Sequence, residues 1–442
     1  VTLPNSTLLR QTDKPKFTIK RPERRIIMNK RMDRNRLNIG VYHLKPYART
    51  EAHIKDLADC GIDFVICMDS KDRAALDLFH KYGVGAIVSD VVPLWWGGNG
   101  AGSGKMHTIN TLDKYEAAAA SFVDHPAIWG IDIGDEPSAL DFPHYGKVFD
   151  CVDRLFPNQF PYLNLYPNYA SVSHNTAEET ECQLGTATYE EHIQRYCENV
   201  PADYLSYDFY CFDHNLRVMG VTKHYENLRV VADACLRTGR SMWIVLMVNS
   251  HDPDVWMTEN NLRFQAYTSM AFGAENITWA CYTAGWWSNQ VLDGEGNKTQ
   301  QYDKLKKINA EIRTLADEYM KYRRVSTHFV GFEGNPDMTA VKQEAIESLS
   351  TGIFFDVKAD NGAPLVVGEM VNRKGDGSVA LMVCAADDPR ETDPKEYNVT
   401  FRAPNRCIRA LGGNGYKTVT DLGDGVYAVA VKSNEGVLIT AK

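Results

Sequence analysis

The chain has 442 residues, 44% hydrophobic and 24% charged, a composition typical of a globular protein with room for one large domain and a smaller one. Its net charge of −9 gives no general electrostatic reason to expect a nucleic acid or an anionic membrane surface as partner, and it suits a neutral substrate. No stretch approaches the roughly 18 uninterrupted apolar residues of a membrane-spanning helix, so we expect no membrane contact.

The first 36 residues are basic. They hold 11 Lys or Arg against 3 Asp or Glu, a net charge of +8 that leaves −17 on the remainder of the chain. This distribution predicts a basic arm, residues 1–36, that lies on an acidic body, with nucleic-acid binding as the alternative. No apolar segment follows these charges, so the stretch as written is not a signal peptide; the chain opens on Val, and processing before it stays open.

The ten cysteines are scattered, and none has the CxxC or Cys/His spacing of a zinc site. Several fall inside apolar runs such as "DFVICMD", which favours buried reduced thiols and a reducing compartment. We therefore expect no metal and no cofactor. A cytoplasmic location is favoured, and a secreted or periplasmic one stays open if a leader was removed.

From Leu37 onward, short apolar runs of strand length alternate with longer segments of helical period. That alternation predicts a parallel sheet with helical crossovers, and eight repeats over 37–324 predict a (β/α)8 barrel, with a doubly wound open sheet as the alternative. The eight predicted strands are "LNIGVYHL" (37–44), "IDFVICMD" (62–69), "VGAIVSD" (84–90), "AIWGIDIGDE" (127–136), "FPYLNLYPN" (160–168), "DYLSYDFYCF" (203–212), "SMWIVLMVNS" (241–250) and "NITWACYT" (276–283).

After residue 324 the pattern changes to alternating strands and Gly-rich turns, as in "GDGSVALMVCAADD". This predicts an all-β, sandwich-like domain over 325–442. We find no low-complexity linker between the two segments, so we expect them to pack closely.

Glu136 is the strongest candidate for chemistry. In a barrel of this kind the active site lies at the carboxyl ends of the strands, and Glu136 ends the fourth predicted strand, beside Asp135. A like charge next to a carboxyl group raises its pKa, as a general acid requires near neutral pH. A single acid at a strand end is often only a helix cap or an ion-pair partner, and that alternative applies more strongly to Asp69, Asp90 and Asp132.

Two Trp pairs follow predicted strands, Trp95 with Trp96 and Trp286 with Trp287. Their flat faces can stack on the apolar face of a sugar ring, although a Trp pair can equally be core packing. Further polar and aromatic side chains at strand ends complete the predicted substrate-binding set: His43, Asp90, Asp135, Asn164, Tyr166, Tyr210, Asn249 and His251.

Motifs for other chemistries are missing from the sequence. It has no HExxH metal motif, no GxSxG nucleophile elbow and no GxGxxG that opens a helix. Among the chemistries considered, acid/base catalysis by carboxylates is the one that the sequence still permits.

Five segments resemble one known group: "IWGIDIGDEPS", "YLNLYPNYAS", "YLSYDFYCF", "LRFQAYTSMAFGAENITWACYT" and "LDGEGNKTQQYDKLKKINAEI". Over about 37–325 the chain is similar to glycoside hydrolases of the large retaining (β/α)8-barrel clan that includes β-galactosidases, in a bacterial branch with a DEP signature. The resemblance implies that Glu136 is the general acid/base, with Asp135 where that clan usually has Asn. It also implies a nucleophilic Glu at the end of strand seven, but "SMWIVLMVNSHD" contains none.

The second carboxylate is therefore open among Asp252, Asp208, Asp90 and Asp69, with Asp208 and Asp252 ranked equal and first. By alternation Asp208 shares a face with Ser206 and Tyr210. We expect a glycosidase that acts on a neutral oligo- or polysaccharide, or alternatively a catalytically inactive barrel that only binds carbohydrate. The sugar, the linkage, endo or exo action and the oligomeric state stay open.

Overall fold

The computed structural model describes residues 30–97, 103–170, 183–332 and 346–442. Eight parallel strands close into a barrel in chain order, and the last strand pairs with the first. The barrel strands are β1 Asn38–Tyr42, β2 Phe64–Met68, β3 Gly85–Val88, β4 Ile128–Asp135, β5 Phe160–Leu165, β6 Tyr204–Asp208, β7 Ser241–Met247 and β8 Ala274–Ala280. The predicted (β/α)8 barrel is confirmed, and the closed ring excludes an open sheet.

Helices cover the outside of the barrel. They are α1 Glu51–Asp59, α2 Arg73–Tyr82, α3 Met106–Ile109, α4 Leu112–Ser121, α5 Phe142–Leu155, α6 Tyr189–Asn199, α7 Val221–Thr238, α8 Glu259–Ala271 and α9 Gln300–Tyr319. Local sequence explains their ends: the Thr188 and Thr258 side chains cap the amino termini of α6 and α8, and Gly83 ends α2 with a positive φ. No helix in the described ranges is both long enough and apolar enough to cross a membrane.

The amino-terminal end of the barrel is closed by the segment that precedes β1. The Arg34 guanidinium lies over the rings of Phe160, Tyr204 and Trp243, 4.7 to 5.2 Å from their centroids, and forms an ion pair with Asp203. Each strand that contributes a ring begins at this end, so one cation joins β5, β6 and β7.

Other basic residues before β1 also pair with acids of the barrel. Lys30 lies 2.7 Å from Asp153, and Arg31 lies 2.6 Å from Asp124. Residues 1–29 lie outside the described residues, so the arm as a whole stays a prediction.

Eleven further strands follow α9: β9 Tyr322–Val330, β10 Ile346–Ser348, β11 Phe355–Ala359, β12 Leu365–Asn372, β13 Val379–Ala385, β14 Glu396–Arg402, β15 Ile408–Gly412, β16 Gly415–Lys417, β17 Val419–Gly423, β18 Val426–Lys432 and β19 Gly436–Ala441. They form a five-stranded sheet, β10-β11-β14-β18-β17, and a six-stranded sheet, β16-β15-β19-β13-β12-β9. Their inner faces share one apolar core. The predicted β-sandwich-like region is confirmed; β9 spans position 324, and the division into domains at 36/37 and 324/325 stays a prediction.

The six-stranded sheet packs against the barrel through α8. Alternate residues of β12 and β13 face opposite ways: Val367 and Val383 enter the sandwich core, whereas Val366 and Met382 join the core of the barrel. The contact is so close that a Cβ at Gly368 would lie 2.1 Å from a backbone oxygen of α8. Helix α8 is therefore buried on both sides.

Candidate functional site

Glu136 directly follows β4 and has a φ of 50°, in the left-handed region that few residues other than glycine adopt. The preceding residue is bound by the loop after β3: the Asp135 amide donates to the Trp95 carbonyl, and the Gly97 amide donates to the Asp135 carbonyl, both at 2.9 Å. A Cβ at position 97 would lie 1.7 Å from the Glu136 carbonyl oxygen, so only glycine fits there. The strand end and this loop thus fix each other.

The same loop places Trp96 beside the acid. The Trp96 indole N–H donates to Glu136 Oε2 at 2.8 Å, and 64% of the Trp96 side chain is exposed. Tyr166, which is buried, braces the loop from β5 by donating its hydroxyl to the Gly97 carbonyl. Glu136 itself is half-buried, so it faces the mouth of the barrel rather than a sealed interior.

Asn164 on β5 joins two further carboxyl groups. Its Nδ2 donates to Asp135 Oδ1 at 3.2 Å and to Asp208 Oδ1 at 2.8 Å. The Asn164 backbone carbonyl accepts the Glu136 amide at 2.9 Å. Asp135, Glu136 and Asp208 therefore form one group at the carboxyl ends of β4 and β6, which we call the acid cluster.

The acid cluster holds unusually basic carboxyl groups. Burial raises the pKa of Glu136 to about 9, with further contributions from the charges of Asp208 and Asp135. Burial, and then the charge of Asp135, raises the pKa of Asp208, and burial raises that of Asp135. Among the described residues, no Lys or Arg pairs with any of the three. At neutral pH the cluster therefore retains at least one proton.

A fourth acid lies deeper in the barrel. Asp132, inside β4, accepts from the Ser89 hydroxyl at 2.9 Å and from the Gly134 amide at 3.2 Å. Burial, together with the charge of Asp135, raises its pKa to about 7. Asp132 is 5% exposed and is not part of the acid cluster.

Aromatic side chains after β6, β7 and β8 form a second group at the same end of the barrel. Trp287 packs edge-on against Tyr210, with centroids 4.4 Å apart, and against His251 at 4.9 Å. Trp286, which is 48% exposed, lies 5.2 Å from Tyr42 and 6.5 Å from His43. Burial lowers the pKa of His43 to about 4, so its ring is neutral at pH 7. This group, the aromatic rim, offers uncharged apolar faces.

Tyr210 connects the rim to the acid cluster. Tyr210 follows Asp208 by two residues, and its pKa is raised by burial and then by the charge of Asp208. Burial, and then the charges of Cys67 and Asp135, raise the pKa of Tyr42. The mouth thus has an acidic side, from β4 to β6, and an apolar side, from β7 through β8 to β1.

Other predicted site residues make separate contacts. The exposed Asp90 accepts from the Ser70 amide and hydroxyl at 2.8 and 2.9 Å, and Asp252 accepts from the Asp254 amide at 2.9 Å, as in a tight turn. Asn249 is buried and accepts the Cys281 amide at 2.6 Å. Trp95 is half-buried against the core. Substrate-binding or catalytic roles for these four stay predictions.

The sequence analysis did not single out Tyr42, Tyr169 or Ser206 as site residues. Tyr169 is 43% exposed and packs against Phe209, the residue after Asp208, with ring centroids 5.3 Å apart; burial and the charges of Asp208 and Glu136 raise its pKa. Ser206 donates to Asn164 Oδ1 at 2.9 Å. Ser206 precedes Asp208 by two residues on one strand, and that spacing was the available signal for it.

No group of three or more His, Cys, Asp or Glu in the described part of the chain is arranged to hold a metal ion.

Several solved structures that are similar to this chain are those of carbohydrate-acting enzymes. A cycloisomaltooligosaccharide glucanotransferase from a Paenibacillus species, complexed with cycloisomaltoheptaose, matches at 9% identity and a TM-score of 0.52, over 92% of this chain and 85% of that one. A glucosidase from Croceicoccus marinus matches at 10% identity and a TM-score of 0.44, over 92% and 96%. At such identities, the Paenibacillus structure supports the fold alone.

A β-galactosidase from the psychrophilic Marinomonas ef1 matches at 10% identity and a TM-score of 0.43, over 64% of this chain. This chain spans 61% of that enzyme's length. No family model matches the sequence, and no curated protein does. The clan named by the sequence resemblance therefore stays a prediction.

Proposed function

We propose that this protein hydrolyses glycosidic bonds of a neutral oligo- or polysaccharide, with Glu136 as the general acid. The observation that carries the proposal is the position of Glu136, half-buried beneath an exposed Trp at the carboxyl end of a barrel strand. Its raised pKa keeps it protonated at pH 7, so it can donate to the leaving-group oxygen.

Asp208 is the proposed second carboxylate. It belongs to the acid cluster, whereas the carboxyl of Asp252 accepts from its own turn. In its ionised form Asp208 attacks the anomeric carbon or activates a water molecule that does so; the two routes give retained and inverted products, respectively. Proton NMR of the first-formed anomer distinguishes them.

The aromatic rim and Trp96 are the proposed binding surfaces for the sugar. Their exposed rings are uncharged, and stacking against them selects apolar sugar faces without requiring a charge on the substrate. The carboxylates supply the acceptors for hydroxyl groups. A carboxylate-bearing sugar would be repelled by the acid cluster.

The test is hydrolysis of a broad panel of neutral oligosaccharides by the wild type and by Glu136→Gln. We expect the wild type to release product and the variant to lose about 10²-fold or more, because the amide cannot donate the acid's proton. Glu275→Gln, at the opposite end of the barrel in an ion pair with Arg373, is the matched control and should keep full activity. A Glu136→Gln protein that keeps a tenth or more of the activity would exclude the proposal.

A second candidate is a barrel that binds carbohydrate without cleaving it. The observation in its favour is that β7, Ser241–Met247, carries no carboxyl group. Tight glycan binding with no product over days, across the same panel, would select this alternative.

A further inference from the structure

The acid cluster contains three carboxyl groups, whereas the proposed hydrolysis needs only one proton donor. Asp135 and Asp208 both accept from Asn164, and Glu136 accepts from Trp96 instead. The side-chain amide of Asn164 therefore divides the cluster into a pair and a single acid.

The direction of the Asn164 amide is fixed by its other contact. Ser206 donates its one hydroxyl hydrogen to Asn164 Oδ1, at 2.9 Å. The Ser206 oxygen lies 3.2 Å from the Tyr162 hydroxyl, and since its own hydrogen is already used, Tyr162 must be the donor of that bond. The chain of hydrogen bonds runs one way, from Tyr162 through Ser206 to the carbonyl of Asn164.

With the carbonyl fixed toward Ser206, the NH2 group of Asn164 must face the carboxylates. It has two hydrogens, and each has one carboxyl oxygen to bond, in Asp135 and Asp208. An N–H donor stabilises an ionised carboxylate more than a protonated one. The pair therefore shares one donor group that favours two anions.

Strand pairing makes this contact rigid. Asn164 of β5 lies opposite Ser206 of β6 in the parallel register, and both are buried. The Asn164 backbone carbonyl also accepts the Glu136 amide, so one residue touches all three members of the acid cluster.

We propose that Asn164 is a positioning residue that favours the anionic forms of Asp135 and Asp208 and leaves the last proton of the acid cluster on Glu136. This proposal rests on the proposed hydrolytic function. Trp96 donates to Oε2 of Glu136, so the proposal assigns the proton to the other oxygen, Oε1. Burial raises the pKa of all three acids, and that of Glu136 is the highest, about 9; the Asn164 bond opposes the rise in Asp208, to about 8, and in Asp135, to about 6, so Glu136 is the last of the three to lose its proton.

The experiment compares Asn164→Ala, Ser206→Ala and Glu136→Gln with the wild type on two aryl glycosides of one sugar, the first with a dinitrophenol leaving group and the second with an unactivated phenol. A good leaving group departs without a proton, so it should restore most of the Glu136→Gln activity. Asn164→Ala should lose about 10²-fold on both substrates and should move the acidic limb of the kcat/KM profile to higher pH. Ser206→Ala should shift the same limb by less.

Asn309→Ala is the matched control. Asn309 is a buried asparagine outside the site that bonds Trp279 and the Cys60 carbonyl, so its loss should lower stability and leave both pH limbs in place. If Asn164→Ala or Ser206→Ala likewise leaves both limbs in place, Asn164 is only structural and the proposal fails. Should Asn164→Ala not fold, Ser206→Ala and Tyr162→Phe carry the test, because each breaks the hydrogen-bond chain at one hydroxyl.

A readout without substrate separates this proposal from the proposed function. Infrared difference spectra at about pH 8.5, above the pKa values of Asp132, about 7, and Asp208, about 8, should show a protonated carboxyl band that Glu136→Gln removes and that Asn164→Ala spreads over several carboxyls. If the band persists in Glu136→Gln, the proton resides elsewhere and the proposal is overturned. If the wild type cleaves no glycoside but the band behaves as expected, the hydrolytic function fails and the assignment of the proton holds.

Discussion

Acidic side chains at the two ends of the barrel differ in whether a basic side chain pairs with them. At the amino-terminal end, Asp63 lies 2.5 Å from Arg36 and also pairs with Arg313, and Asp203 pairs with Arg34. At the carboxyl end, Asp135, Glu136 and Asp208 have no basic partner in the part of the chain that the structure describes.

The pKa values follow this difference. Burial would raise the pKa of Asp124 at the amino-terminal end, but hydrogen bonds from Arg31 and Asn158 outweigh it and hold that pKa below its usual value. At the carboxyl end no hydrogen bond from an Arg opposes burial; the bond from Trp96 only partly offsets it, and the pKa of Glu136 rises to about 9. Carboxylates at one end thus pair with cations of the closed fold, whereas those at the other retain protons near neutral pH, as the proposed general acid requires.

Replacing an acid of the cluster should affect activity more than any other change. We expect Asp208→Asn to lose about 10³-fold or more in kcat/KM on aryl glycosides, because the second carboxylate is then absent. Asp252→Asn, the matched variant after β7, should stay within about twofold of the wild type, since its carboxyl only accepts from its own turn. The reverse pattern of rates would transfer the role to Asp252.

The apolar side of the mouth should affect binding rather than the chemical step. Trp286→Ala is expected to raise KM about tenfold with little change in kcat, because an exposed stacking surface is lost. Tyr416→Ala removes a ring that is 71% exposed on β16 of the six-stranded sheet, and it should leave both constants unchanged. Equal effects of the two variants would argue against a sugar platform at Trp286.

Substitutions at the amino-terminal end of the barrel should affect the stability of the protein but not its activity. Arg34→Met removes a cation that contacts three rings and Asp203, and we expect it to lower the free energy of unfolding by about 1–2 kcal/mol with kcat/KM unchanged. Arg154→Met breaks an exposed pair with Glu116 and should cost less than about 0.5 kcal/mol. Denaturant unfolding measures both, and a loss of activity in Arg34→Met would show that the two ends are coupled.

Much of the barrel could be predicted because apolar runs recur at strand length between segments of helical period. The predicted strands overlap all eight observed ones, although β8 begins at Ala274, two residues earlier than expected, because its first residues include the polar Glu275. The position of Glu136 at the end of a strand could be predicted from the same pattern. These features depend on local pattern, which a single sequence carries.

The relations within the site could not be predicted in the same way. The sequence ranks Asp208 and Asp252 equally, and only the three-dimensional register that places Asn164 opposite Ser206 brings Asp208 to Asp135. The bond from Trp96 to Glu136 depends on the close approach of Gly97 to β4. Such contacts join residues far apart in the chain, and alternation within one strand does not reveal them.

The alkaline limb of the pH–rate profile tests most directly the claim that Glu136 is the protonated acid. Activity of the wild type on an unactivated aryl glycoside should fall as pH rises through the pKa of Glu136, about 9, because the proton is then lost. In Glu136→Gln the residual activity should show no such limb. The same alkaline limb in both proteins would assign the titrating group elsewhere and contradict the account.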